Sequence, residues 1–190
     1  LVLCLGFFDS LHNGHKALID NSIKLCKIYN AYPALFTFDN NPADYLCVGS
    51  KLVLTYSERL MRAEELGIDT VIHAHYDKQF MSMPAKKFID TLISGFNIKA
   101  IVVGEDYTFG AGRAGNIDTL KDYLKDTDVS LQIVPISYID NRKIASRDIR
   151  AYLRSGEVER INELMPLPYF ITGKVIHGRH QGRLLGFPTV

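Results

Sequence analysis

The sequence predicts an α/β fold, a doubly wound parallel sheet, followed by the beginning of a second, β-rich domain. Three observations carry this. Short apolar runs alternate with helical patterns across roughly residues 1 to 155, as βα units wound around one sheet do. Two of the runs, residues 1–5 and 100–103, are apolar throughout, which is how strands buried on both faces read. After Met165 the texture changes: Pro166 and Pro168 break the helical pattern, and a glycine-rich basic stretch follows. The expected division is residues 1–165 and a truncated 166–190.

The first strand, Leu1-Val2-Leu3-Cys4-Leu5, leads through Gly6 and a loop into an amphipathic helix from His15 to Ile28. Leu18, Leu25 and Ile28 follow its apolar stripe, with Lys16, Asp20, Lys24 and Lys27 largely off it. Ala34-Leu35-Phe36-Thr37-Phe38 reads as the second strand, ended by the turn-formers Asp39-Asn40-Asn41-Pro42. Residues 41–53 have no period and read as a loop. Thr55-x-x-Glu58 fits a capping box, and Leu60, Met61, Glu64 and Leu66 carry a helix to Gly67.

A third strand covers residues 68–74, and Pro84 sits in the first turn of a helix with Phe88, Leu92 and Ile93 inward. The fourth strand runs directly into Gly104, Gly110, Gly112 and Gly115, glycines that let a backbone approach a ligand at a strand's carboxyl end. A helix around residues 120–124 and a strand at 131–136 follow. Ser146 is expected to cap a helix through Ile149, Tyr152 and Leu153 to Gly156, with a short helix over 158–165 behind it. Residues 169–176 alternate like a strand.

Composition excludes several classes. At 190 residues and a formal net charge of +1 the chain lacks the field that draws proteins to nucleic acid. No apolar stretch reaches the ~20 residues of a membrane span, and the start has neither the basic region nor the cleavage site of a signal peptide. A cytoplasmic location is therefore expected. The start also lacks a methionine, which predicts a few preceding residues. Cys4, Cys26 and Cys47 are odd in number and show no metal-ligand spacing; Cys4 and Cys26 read as small buried thiols. Lys86, Lys87 and Lys121 read as solvated helix faces, and His73 and His75 as structural.

Chemistry concentrates at the first loop. Gly6-Phe7-Phe8-Asp9-Ser10-Leu11-His12-Asn13-Gly14-His15 places two histidines beside a helix N-terminus, where free N–H groups and the helix dipole favour phosphate. An imidazole adds a hydrogen-bond donor or a positive charge to the same anion. Four residues of pattern are weak alone; the strand before and the helix after give them weight.

This stretch resembles the first motif of the bacterial bifunctional riboflavin kinase/FMN adenylyltransferase (FAD synthetase) family. Thr37-Phe38-Asp39-Asn40-Asn41-Pro42 is similar to that family's second motif, with Asn40 and Asn41 where proline and histidine are usual. Val103-Gly104-Glu105-Asp106-Tyr107-Thr108-Phe109-Gly110, through Arg113 and Gly115, resembles the third. Ile144-Ala145-Ser146-Arg147-Asp148-Ile149-Arg150 resembles the Ile-Ser-Ser-Thr-x-Ile-Arg motif. Gly173-Lys174-Val175-Ile176-His177-Gly178 and Gly182-Arg183-Leu184-Leu185-Gly186-Phe187-Pro188-Thr189 are similar to the opening of the riboflavin kinase barrel.

The resemblance implies a Rossmann-like nucleotidylyltransferase domain and the start of a β-barrel. It implies a reaction too: FMN phosphate attacks the α-phosphorus of ATP, giving FAD and pyrophosphate, and the full-length protein also phosphorylates riboflavin. His12 and His15 would stabilise charge on the phosphates, with Ser146 and Arg150 gripping the β/γ-phosphates. The implied ATP site adds Gly6, Phe7, Phe8, Asp9, Gly14, Gly104, Asp106 and Arg147. Asn41, Phe109 and Arg113 would face FMN, and Gly178, Gly182 and Thr189 the kinase nucleotide and its metal. Plainer roles stand beside these: Phe109 as core, Asp9 as a helix cap, Arg113 as a solvated cation. Mg2+ is expected with ATP, held by phosphates and waters and without a protein cage. Nothing in the sequence specifies an oligomeric state.

Departures in two of the motifs matter. Arg147 stands for the usual threonine and Ala145 for serine, and Asn41 removes a potential cation. They leave open a weakened relative that binds flavin or ATP in a regulatory role. Another nucleotidylyltransferase, acting on nicotinamide mononucleotide or phosphopantetheine, is the other alternative.

Overall fold

Four apolar residues in a row with no polar face need neighbours on both edges and both faces, and β1 (Val2–Leu5) has them. The computed structural model describes residues 1–46, 49–139, 142–176 and 186. In it β1 pairs in parallel with β2 (Pro33–Phe38) on one side and β4 (Ala100–Gly104) on the other. β3 (Thr70–Ala74) and β5 (Ser130–Val134) complete a five-stranded sheet of order β3-β2-β1-β4-β5. The chain winds outward from β1 in one direction and then crosses back to β4. The crevice at the carboxyl ends of β1 and β4 is therefore the switch point where open α/β sheets bind ligands.

Helices cover both faces. α1 (Asn13–Tyr29) packs with Val2, Cys4, Leu35 and Val102. α5 (Ala85–Gly95) and α6 (Ile117–Leu124) pack with Leu3, Leu5, Phe36, Ile101 and Val103. Alternate residues of each strand thus serve two separate cores. Two one-turn helices, α2 (Pro42–Tyr45) and α4 (Lys78–Met81), lie in the loops after β2 and β3. A hairpin of β6 (Tyr138–Ile139) and β7 (Arg142–Lys143) leads to α7 (Ser146–Ser155) and α8 (Val158–Leu164). These last helices enclose a satellite core of Val53, Leu54, Ile149, Ile161 and Met165.

Several expectations need correction. The buried side of α1 is Leu18, Ile19, Ser22 and Cys26, and Ile28 is 73% exposed, because the stripe drifts around a helix this long. Ala145, not Ser146, occupies the N-cap of α7; Ser146 instead shares a hydrogen bond with Ser10. Residues 169–176 form no strand. Ile171, Val175 and Ile176 are exposed, and the polar groups nearby turn to side chains: Thr172 N–H donates to Glu58 and Tyr169 N–H to Asn162. The thiols of Cys4 and Cys26 are buried as expected, whereas Cys47 lies outside the described residues.

The helix α3 (Tyr56–Glu65) opens with the expected capping box: Thr55 Oγ1 accepts the Glu58 N–H, and Glu58 accepts the Thr55 N–H. Its inward face is unusual. It buries Glu58, Arg59, Arg62 and Ala63 and leaves Met61 half exposed.

Candidate active site

The loop after β1 is held in a tight shape by its own side chains. Phe8 and Leu11 adopt positive φ of 53° and 46°, a conformation side-chain-bearing residues rarely take without surrounding support. Asp9 provides part of that support from beneath: it is 3% exposed, accepts the Val53 N–H at 3.0 Å and meets Arg150 Nη1 at 2.5 Å. Burial pushes its carboxyl up from the ordinary value, opposed by that N–H and by the guanidinium groups of Arg150 and Arg59.

His12 is the N-cap of α1, and its Nδ1 accepts the His15 N–H at 3.2 Å. An imidazole that accepts at Nδ1 carries its proton on Nε2, so His12 presents a donor. The His12 and His15 rings stack at 3.9 Å with 7° between planes, and Phe8 packs on His15 at 5.1 Å. Burial pulls His12 down to about 4; burial and then the neighbouring His12 pull His15 well below its ordinary value. Both imidazoles are neutral at pH 7. His15 Nδ1 is buried with no hydrogen-bond partner among the described residues.

The loop after β4 forms the opposite wall. Gly110 has φ of 74°, and its backbone lies so close to α5 that a Cβ there would stand 2.6 Å from Ala85 Cα. Phe109 pairs with Gly115 across a short antiparallel bridge, and its ring stacks on Tyr107 at 5.6 Å. Lys143 of β7 is ion-paired to Asp106.

Between these walls lie two cavities of contrasting chemistry. The first, about 340 Å³, is lined by Phe7, Phe38, Tyr76, Phe80, Phe109 and Arg113 among others. The second, about 270 Å³, is lined by His12, Gly14, His15, Gly104, Lys143 and Ser146 among others. They adjoin, since Gly6, Asp106 and Tyr107 line both. An aromatic slot beside a polar one suits a ligand with a flat ring and a phosphate chain.

A family model described as FAD synthetase matches residues 1–148. The chain belongs to that family. A second model, riboflavin kinase, matches residues 165–190. A bifunctional riboflavin kinase/FMN adenylyltransferase of Bacillus subtilis is 34% identical over 99% of the chain and 60% of its own length. Its counterpart from Buchnera aphidicola subsp. Schizaphis graminum is 35% identical over 97% of the chain and 61% of its own length. A crystal structure described as a macrolide-efflux protein from Streptococcus pneumoniae superposes with a TM-score of 0.83 at 29% identity, over 98% of this chain and 62% of that one. The chain thus spans about 60% of the length of the curated relatives it matches.

Of the positions the FAD synthetase motifs pointed to, the crevice gathers Gly6, Phe8, His12, Gly14, His15, Gly104, Asp106 and Ser146 around the polar cavity. Phe7, Phe109 and Arg113 line the aromatic one, so Phe7 stands apart from the implied ATP group. Asp9 and Arg150 line neither cavity, meeting each other behind the loop. Asn41 also lines neither. It caps α2 by accepting the Ala43 N–H and donates to Ser50 O at 2.7 Å. Arg147 is 77% exposed at its side chain and faces an outer groove with Arg142 and Arg160. Gly178, Gly182 and Thr189 lie outside the described residues.

The sequence did not single out Arg59, Arg62 or Lys143, nor show the tertiary contacts that Glu58, Ser10 and Thr37 make. Arg59 Nη1 donates to Phe7 O and Thr37 Oγ1, and Nη2 to Phe38 O. Arg62 donates to Pro168 O and stacks over Phe170, while Glu58 accepts both Thr172 N–H and Oγ1–H. Burial works to raise the Glu58 carboxyl, but hydrogen bonds from Thr55 and Thr172 outweigh it and hold it at about 2. One signal was present: Arg59 and Arg62 are three apart and share a helix face with Glu58, away from Met61.

Proposed function

We propose that the chain carries an FMN adenylyltransferase: it transfers AMP from ATP to FMN, giving FAD and pyrophosphate. The observation that carries this reading is the pair of adjoining cavities, aromatic and polar, joined at Gly6, Asp106 and Tyr107. The flavin ring takes the aromatic slot, of a size suited to one planar ligand, and the triphosphate takes the polar one. Family membership supports the same assignment.

An oxygen of the FMN phosphate attacks the α-phosphorus. The bond from that phosphorus to the oxygen bridging to the β-phosphate breaks, and pyrophosphate leaves with the electron pair. Such a transfer needs positioning and charge stabilisation more than covalent help from the protein. His12, neutral and with its proton on Nε2, donates to the phosphates without the desolvation cost of a buried cation. His15, stacked against it, supplies the second imidazole. Ser146 and Lys143 meet the β/γ end, and the N-terminus of α1 adds its dipole. Arg150 acts through Asp9, holding the loop in place. Phe109 and Phe38 wall the flavin slot, and Arg113 stands at its edge.

Mg2+ fits this donor set as a passenger of ATP. No cluster of three or more metal-ligating side chains exists among the described residues, and Asp106 is the carboxylate lining both cavities. Bound there, the ion would neutralise charge on the phosphates.

The unit 1–165 is assigned to this transfer and 166–190 to the opening of a riboflavin kinase domain, whose phosphorylation of riboflavin belongs to the full-length protein. Match to the riboflavin kinase model supports that assignment. No helix among the described residues is long and apolar enough to cross a membrane, and the enzyme is assigned to the cytoplasm.

The test is pyrophosphate release from Mg-ATP with FMN, nicotinamide mononucleotide or phosphopantetheine as acceptor. FAD from FMN is the expected result. Product from another acceptor alone, or flavin binding without turnover, overturns it.

A further inference from the structure

We propose that Arg59 is a positioning residue for the flavin: from α3, behind the site, it sets the spacing of the walls that receive the ring. This rests on the FMN adenylyltransferase reading. The guanidinium is almost wholly buried, with Arg59 2% exposed. Nη1 donates to Phe7 O at 3.0 Å and to Thr37 Oγ1 at 2.9 Å, and Nη2 donates to Phe38 O at 2.8 Å. Thr37 Oγ1 itself donates to Phe7 O at 2.7 Å, so that carbonyl is held twice. The cation also lies over the Phe7 ring, 4.8 Å from its centroid, and over Tyr56 at 5.4 Å.

One side chain therefore ties the loop after β1 to the end of β2. Both peptides it grips carry aromatic rings that line the aromatic cavity, Phe7 and Phe38, whose centroids are 6.3 Å apart. Neither lines the polar cavity. An apolar residue at position 59 would leave Phe38 O without this donor and Phe7 O with Thr37 Oγ1 alone, and the two walls would be free to shift relative to each other. The expected signature is a loss confined to the flavin. General unfolding would weaken both substrates together.

The experiment measures KM for FMN and for Mg-ATP in the whole chain, with FMN affinity read separately by quenching of flavin fluorescence. Arg59→Met keeps length and loses every donor. It is expected to raise the FMN KM and Kd about tenfold with the ATP KM within about twofold, the scale of lost hydrogen bonds to a charged group. Arg59→Lys, whose ammonium has three donors, should recover FMN affinity to within about threefold of wild type. Thr37→Val removes one partner with little change of volume and should raise the FMN KM about threefold. Equal shifts in both substrates, no shift in either, or no recovery with lysine overturns the proposal. If Arg59→Met does not fold, Thr37→Val decides, and an unchanged FMN affinity in it is fatal. Absence of FAD from wild type defeats the adenylyltransferase reading. The fluorescence measurement still tests Arg59 in that case, and wild type that binds no FMN defeats both.

Discussion

Mild acid should destabilise the free protein through its buried histidines before most carboxylates titrate. His12 is 7% exposed and burial pulls it to about 4, from an ordinary value of 6.5. Above pH 6.5 both folded and unfolded chains hold it neutral. Between 6.5 and 4 the unfolded chain binds a proton that the folded one refuses, so stability falls as pH falls. Each pH unit in that window is worth ~1.4 kcal/mol, giving about 2 kcal/mol lost by pH 5 and about 3 kcal/mol by pH 4 from His12 alone. His15 is shifted in the same direction, by burial and by His12, and adds to the loss. The perturbation is His12→Asn, whose side-chain oxygen can still accept the His15 N–H at the N-cap while nothing titrates. Urea unfolding at pH 7 and pH 5 is the assay. Wild type should lose about 2 kcal/mol more than the variant between the two conditions. Parallel losses, within ~0.5 kcal/mol, would refute a neutral buried pair.

Other perturbations test the same picture. His15→Ala should cut FAD formation at least ~100-fold in kcat, the scale of losing a group that stabilises transition-state charge; near-normal turnover removes His15 from the chemistry. Gly110→Ala places a Cβ 2.6 Å from Ala85 Cα at φ of 74°, and should cost about 3 kcal/mol or more by denaturant melting; a wild-type midpoint contradicts the close approach. Asp9→Ala removes the acceptor of the Val53 N–H and the partner of Arg150 together and should cost about 3 kcal/mol of stability, read the same way. Glu58→Ala deletes one half of the capping box and the acceptor for Thr172, so limited proteolysis within residues 168–176 should quicken at neutral pH; an unchanged cleavage rate means that contact holds nothing.

What the sequence disclosed was whatever depends on neighbours along the chain. β1 is legible because its apolar residues are consecutive, and the Thr55 cap because its partner is three residues away. The first loop is legible because strand, glycine, histidines and helix follow one another directly. The rest depends on distant partners. Arg59 looks like a solvated helix cation until Phe7 and Phe38 bring their carbonyls to it from two other elements. Ser146 looks like a cap until Ser10 meets it across 136 positions. The strand-like pattern of 169–176 fails for a related reason, since alternation describes a face and a strand also needs an edge to pair with.

The departures in those two motifs carry less weight in three dimensions than in the sequence. Asn41 for histidine seemed to strip a cation from the phosphates, yet Asn41 lies outside both cavities and is occupied with α2 and Ser50. Arg147 stands where threonine is usual, yet its side chain is in solvent, 3.7 Å from Asp148. Ala145 does line the polar cavity, but Ser146 beside it keeps a hydroxyl there, already fixed by Ser10. A weakened enzyme should show its damage where charge develops. The groups proposed to act at that place, His12, His15, Lys143 and Ser146, line one cavity. The motive for reading this chain as a binding-only relative therefore disappears with the geometry that suggested it.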